Sequence, residues 1–143
     1  MNQGPTILIV DDDEGHAILI RQNLEIAGLT NRIEHFRDGQ AILDFFFTRR
    51  DIANETYLVL LDIRMPKVDG IEVLRRLKAD PAFRKLPVIM LTTTEDSREV
   101  ARCHQLGCSV YIQKPVDCDR FAEAIRRIGL FVPLLLVPPL GTP

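Results

Sequence analysis

Little in this chain would staple or anchor it from outside. It has 3 cysteines, an odd number that suits no disulfide framework. Cys103, Cys108 and Cys118 fall in no metal-ligand pattern either, since His104 lies between the first two but the spacing and a fourth ligand are wrong. Free thiols of a reducing compartment are the simpler reading, and a cytoplasmic protein is expected. No apolar run approaches the roughly 18 residues that cross a bilayer. The N-terminus lacks a basic segment followed by an apolar one, so neither a membrane nor a signal peptide is expected. An excess of positive charge is missing as well: 18 Lys and Arg against 20 Asp and Glu leave −2, which argues against nucleic acid as a partner. Internal repeats and low-complexity segments are absent. What remains, 143 residues at 46% apolar and 27% charged, is the composition of one globular domain that buries its own core.

The informative stretch is Leu58 to Gly70, Leu-Val-Leu-Leu-Asp-Ile-Arg-Met-Pro-Lys-Val-Asp-Gly. An aliphatic run that stops on Asp62 reads as a buried parallel strand carrying one carboxylate to the carboxyl edge of a sheet, and Pro66 and Gly70 end it. In open α/β sheets that edge binds ligands. Three other runs end in the same manner. Ile7 to Val10 leads into Asp11, Asp12 and Asp13; Val88 to Leu91 into Thr92, Thr93 and Thr94; Val110 to Gln113 into Lys114-Pro115. If these strands are parallel neighbours, their ends gather carboxylates, a hydroxyl and an ammonium, a set suited to a hard cation and a phosphoryl group.

Helical spacing separates the strands. Ala17, Ile20, Leu24 and Ala27 share a face before Gly28; a second strand is expected over Arg32 to Phe36, before the Asp38-Gly39 turn; Gln40 to Arg49 is apolar beyond a single stripe, which suits a deeply packed helix. Met1 to Pro5 is a polar lead-in and Asp51 to Tyr57 a polar connector. A third helix near Asp69 to Ala79 turns Val73, Leu74 and Leu77 inward, and Ala82 to Leu86 is a surface connector. The fourth, Ser97 to Leu106, is only weakly amphipathic, as suits an element that shifts. The fifth, Asp117 to Ile128, shows Phe121, Ala122, Ile125 and Ile128 at clean spacing, with Gly129 as its end. Strict alternation gives a parallel sheet covered on both faces.

The acidic cluster, the Asp-Ile-Arg-Met-Pro-Lys-Val-Asp-Gly run, the Thr after the fourth strand and the Lys-Pro after the fifth match in order the receiver domain of two-component response regulators. The chain resembles that chemotaxis-regulator-like family from roughly Thr6 to Gly129. The resemblance implies a flavodoxin-like doubly wound sheet in the order 2-1-3-4-5 with five helices. It implies that Asp62 is the phosphoacceptor, attacking a phosphohistidine on a sensor histidine kinase, and that the chain is a switch rather than an enzyme. Mg²⁺ would be held by Asp11, Asp12, Asp62 and the backbone carbonyl of Arg64, with Lys114 neutralising a phosphoryl oxygen. Asp13, one residue beyond the acidic pair, is expected to cap a helix. Thr92 and Tyr111 would be the switch pair, reshaping the face made by the fourth helix, fifth strand and fifth helix. Arg64 and Thr94 occupy the positions that tune phosphoryl lifetime, and a bulky Arg64 is expected to slow hydrolysis. The Lys114-Pro115 bond is commonly cis in the family.

Leu130 to Pro143 departs from a minimal receiver, with many aliphatic residues broken by Pro133, Pro138 and Pro139. The expected division is a receiver over 1–129 and an apolar extension over 130–143. Prolines forbid a continuous helix, so an extended segment is expected. It would pack on its own chain or serve as an arm exchanged between two protomers through Leu134 to Val137. The extension and the connector before the third strand resemble stand-alone receivers that serve phytochrome-type histidine kinases, some of which dimerise this way. A homodimer through the extension or the fourth-to-fifth-helix face is therefore expected. A phosphohydrolase of the haloacid type needs a second Asp where Arg64 stands, which counts against that class. The same residues would also serve a relay intermediate that passes its phosphate to a histidine phosphotransfer protein, and the fold alone would serve a non-phosphorylated scaffold.

Overall fold

Alternation inside the strands divides the core into two. The computed structural model describes residues 4–49, 54–93, 95–135 and 137–140. Met1 to Gln3 of the lead-in, Asp51 to Ala53 of the connector, Thr94 and Leu136 lie outside the described residues, as do 141–143. The strands are β1 (Thr6–Val10), β2 (Ile33–Phe36), β3 (Tyr57–Leu61), β4 (Val88–Thr92) and β5 (Val110–Gln113), parallel throughout in the order β2-β1-β3-β4-β5. Successive side chains of a strand point to opposite faces. Leu8, Val10, Val59, Leu61, Val88 and Met90 accordingly join one cluster, and Ile7, Ile9, Leu58, Leu60, Ile89 and Leu91 the other.

Helices α1 (Glu14–Ile26) and α5 (Cys118–Phe131) cover the second cluster; α2 (Gly39–Thr48), α3 (Gly70–Ala79) and α4 (Ser97–Leu106) cover the first. Each starts on an aspartate whose side chain accepts a backbone N–H of the first turn: Asp13, Asp38, Asp69, Asp96 and Asp117. Such caps satisfy donors that the helix leaves unpaired. The connector after α3 contains a short 3₁₀ turn over Pro81–Phe83. In α2, Ile42, Leu43 and Phe46 are buried, and Phe45 packs edge-on between Phe36 and Tyr57. Phe47 stays half exposed against the Phe83 ring. Cys103 is the one buried residue of α4, which is polar overall but, against expectation, segregates its few apolar residues to one side.

Three expectations change. First, α5 does not stop at Gly129 but runs to Phe131. Gly129 is a contact glycine, because a Cβ there would lie 2.7 Å from the Ala27 Cβ and 3.5 Å from Leu24 Cδ2. Second, no cis peptide bond occurs among the described residues, Lys114-Pro115 included. Third, the extension begins as helix and a 3₁₀ turn (Val132–Leu134), becoming extended only at Leu135. It then passes beneath the amino ends of the strands. Val132 and Leu135 join the α1/α5 cluster, whereas Leu140 is buried in the other and its N–H donates to the Glu55 carbonyl at 3.2 Å. An apolar cavity of ≈ 170 Å³ remains between this segment and Leu58, Pro87, Ile89 and Val110.

Candidate functional site

The opposite, carboxyl edge of the sheet holds the polar groups. Ladder bonds run one residue past each strand and set the site in register: Asp11 N–H donates to Phe36 O (3.0 Å), Asp62 N–H to Val10 O (2.9 Å) and Lys114 N–H to Thr92 O (2.7 Å). The strand order leaves Asp11 and Asp62 on adjacent strands and Thr92 on the next. Lys114, three strands from Asp11, reaches back across the edge. Its Nζ donates to Asp11 Oδ2 at 2.6 Å and lies 3.4 Å from Asp62 Oδ2. Asp11, Asp62, Thr92 and Lys114 are all buried, which is unusual for such groups unless they are paired.

The loop after β3 is shaped to carry Asp62. Gly70 N–H donates to Ile63 O at 2.8 Å, and a Cβ on Gly70 would lie 2.0 Å from the Asp62 carbonyl oxygen, so only glycine lets α3 start this close. Lys67 adopts a left-handed φ of 69° within the turn. Ile63 N–H donates to Asp62 Oδ1 at 2.8 Å and fixes the carboxylate rotamer.

One oxygen each from Asp11, Asp12 and Asp62 can be drawn within 4.8 Å of one another. Three carboxylates face one ammonium, and the surplus negative charge suits a divalent cation; a hard ion such as Mg²⁺ takes oxygen ligands of this kind. Burial raises the Asp62 carboxyl above its ordinary range; Lys114 opposes the rise and Asp11 adds to it. The Thr92 hydroxyl is close enough to favour the charged form of Asp62, yet its Oγ1 is fully buried with no partner in hydrogen-bond geometry among the described residues. An orphaned buried hydroxyl is costly.

Asp11, Asp12, Asp62, Thr92 and Lys114 converge, whereas the side chains of Arg64 and Tyr111 lie outside that group. Asp13 caps α1, as its position past the acidic pair predicts. The side chain of Arg64 pairs with Glu99 of α4 at 2.8 Å and is 66% exposed. Tyr111 sits half buried on the first core cluster, 6.5 Å from the His104 ring, and its hydroxyl is pushed up to about 12, by burial first and then by the charges of Cys103 and Glu99. Sequence reasoning missed two histidines. His35 Nε2 donates to the Asp11 carbonyl at 2.7 Å, and His16 Nδ1 lies 3.2 Å from Lys114 Nζ. A histidine in the first turn of a helix that follows an acidic cluster was a readable signal for the latter. The former needed the β1–β2 register. Cys103 and Cys108 are buried, Cys118 is exposed, and all three are free thiols. No helix among the described residues is long and apolar enough to cross a membrane.

The same fold recurs in known proteins. A receiver-domain crystal structure from Rhodospirillum rubrum is 44% identical, covers 96% of this chain and 99% of its own, and superposes with a TM-score of 0.92. The probable methanogenesis regulatory protein FilR2 of Methanothrix harundinacea is 38% identical across 87% of this chain and 83% of its own length. The bacteriophytochrome response regulator RtBRR is 35% identical, covering 95% of this chain and 84% of that one, with a TM-score of 0.70. The family model for the response regulator receiver domain matches residues 7–126. On that match, and with its fold in agreement, the chain belongs to the response regulator receiver domain family.

Proposed function

We propose that this chain is a single-domain response regulator that takes a phosphoryl group from a sensor histidine kinase onto Asp62. The observation that carries the reading is the buried Thr92 hydroxyl, left without a partner beside a carboxylate whose surplus charge calls for a cation. A phosphoryl group on Asp62 would bring the acceptor oxygen that Thr92 lacks. The cation would be Mg²⁺ on Asp11, Asp12, Asp62 and the Arg64 carbonyl, and it would draw charge from the transferring group. Asp62 is the nucleophile, Lys114 a counter-charge, and Thr92 and Tyr111 carry the switch to the α4–β5–α5 face. The marginal packing of α4 supports that direction. The likeness to a bacteriophytochrome response regulator favours a phytochrome-type kinase as donor. The cytoplasm is the compartment in which such a kinase would meet it. The exposed Leu130, Phe131 and Leu134 favour a homodimer through the extension.

Acetyl phosphate with and without Mg²⁺, read by intact mass, tests the chemistry. Wild type should gain one phosphoryl group only with Mg²⁺, and Asp62→Asn none; a wild type that stays unmodified would overturn the reading. Following the decay in the same assay tests Arg64, since Arg64→Asn should lose its phosphoryl group faster. Equal decay would remove Arg64 from that role.

A further inference from the structure

Lys114 Nζ has three protons to place, and the structure offers three acceptors. Asp11 Oδ2 at 2.6 Å is the shortest contact, His16 Nδ1 follows at 3.2 Å, and Asp62 Oδ2 is at 3.4 Å, near the outer limit of a hydrogen bond. An ammonium has no lone pair to accept with, so His16 Nδ1 must accept and the ring proton must sit on Nε2. The ring is held in place from two sides. His16 belongs to the first turn of α1, where its N–H donates to the Asp13 cap at 3.1 Å. Its ring meets Phe121 of α5 edge-on, with centroids 5.4 Å apart, and Lys114 Nζ stands 6.0 Å from the same Phe121 centroid. Asp13 Oδ2, at 3.6 Å from Nδ1, is too far for a hydrogen bond.

We propose that His16 is a positioning residue for phosphoryl transfer, its Nδ1 accepting one Lys114 proton so that the ammonium is fixed in rotation. With Asp11 and His16 holding two protons, the third points along the weak 3.4 Å line to Asp62. That loosely held proton is the one an incoming phosphoryl oxygen takes over. Without His16, the ammonium turns freely between the two carboxylates, and one proton is left to water in the resting state. His16 acts through Lys114 and touches neither the phosphoryl group nor the cation. The inference rests on the phosphoacceptor reading of Asp62, so one arm of its test is independent of that chemistry.

The independent arm is the ring tautomer, read from the imidazole ¹⁵N shifts of His16 in the full chain, free of metal and in alkaline buffer. An unprotonated Nδ1 with a proton on Nε2 is expected; a proton on Nδ1, directed at Asp13, overturns the proposal. The second arm compares wild type, His16→Asn and His16→Leu over a range of acetyl phosphate concentrations with Mg²⁺. Asn places an acceptor near the position of Nδ1, whereas Leu retains bulk against Phe121 and accepts nothing. His16→Leu should lose about tenfold in maximal rate with unchanged half-saturation, the worth of one hydrogen bond from a charged donor, and His16→Asn should stay within about twofold of wild type. A packing role predicts the reverse order, with Leu the better replacement, and that order overturns the proposal. If wild type itself does not react, the receiver chemistry has failed and the tautomer alone decides whether His16 orients Lys114.

Discussion

At Asp62, burial and the neighbouring Asp11 act against the charge while Lys114 and the Ile63 N–H act for it, and the balance leaves the carboxyl above its ordinary range. A group raised in the folded state favours folding most at pH below its unfolded value, and that contribution fades as pH climbs through the folded value. Asp62→Asn keeps an oxygen for the Ile63 N–H and removes the surplus charge. In magnesium-free buffer at pH 7 this variant should melt a few degrees above wild type, about 2–4 °C for each kcal/mol in a chain this size. The gap should close as pH falls towards about 4, where a carboxyl loses its charge. Added Mg²⁺ should raise the melting temperature of wild type and leave the variant nearly unmoved. Calorimetry across pH checks both, and a variant less stable than wild type at neutral pH would contradict the argument. Asp62 was legible in the sequence because an aliphatic run ended on it. The Lys114–Asp11 contact was not, since it depends on two strand ends that are far apart in both chain and sheet.

Among the elements, the pairing of α1 with α5 is closely toleranced. Gly129 lets the two helices touch at Ala27 and Leu24. Gly129→Ala gains helix propensity, worth about 1 kcal/mol in an open helix, but the added methyl meets the Ala27 Cβ at 2.7 Å and must push the helices apart. Overpacking in a core costs about 1–3 kcal/mol, so the variant should be destabilised by roughly 1 kcal/mol net. A denaturant midpoint at or above that of wild type would show that α5 yields freely. The sequence places Gly129 near the end of a periodic pattern, where a glycine usually means a stop. Only the facing helix reveals that it is a contact, and one residue's meaning was thereby misread while the helix itself was found. Helix α4 shows the converse, because its sparse apolar pattern and its single buried Cys103 agree. Its tie to the site is the Arg64–Glu99 ion pair, and an exposed arginine makes such a pair worth at most about 1 kcal/mol. On the proposed reading, a change at Asp62 would reach α4 through this pair.

On the scale of the whole molecule, polar chemistry occupies one edge of the sheet and apolar closure the other. Leu130, Phe131 and Leu134 are 66%, 50% and 74% exposed, and Val110, on the wall of the cavity that Phe131 also lines, is 41% exposed. Burying those side chains against a second copy is the simplest use for them. Light scattering should then give twice the 16.3 kDa of the chain, and Phe131→Asp with Leu134→Asp should return it to the single-chain mass. A monomer at all concentrations would leave the patch unexplained by self-association. The sheet order and both core faces follow from the sequence once the family is recognised; the route of the extension does not, because Pro133, Pro138 and Pro139 only say where a helix cannot go. That route carries a kinetic consequence. Leu140 meets Glu55 across most of the length of the chain, and a contact so distant in sequence repays its loop-closure entropy only after the strands between have assembled. The C-terminal extension, a strap across the amino ends of the strands, would then dock late, into the groove lined by Leu58, Pro87, Ile89 and Val110. In dilute solution a chain's own strap fills it. On the proposed dimer reading, another molecule's strap would compete for the same groove in concentrated refolding mixtures, and the share of exchanged dimers would record the concentration at which the chains folded rather than the equilibrium they later reach.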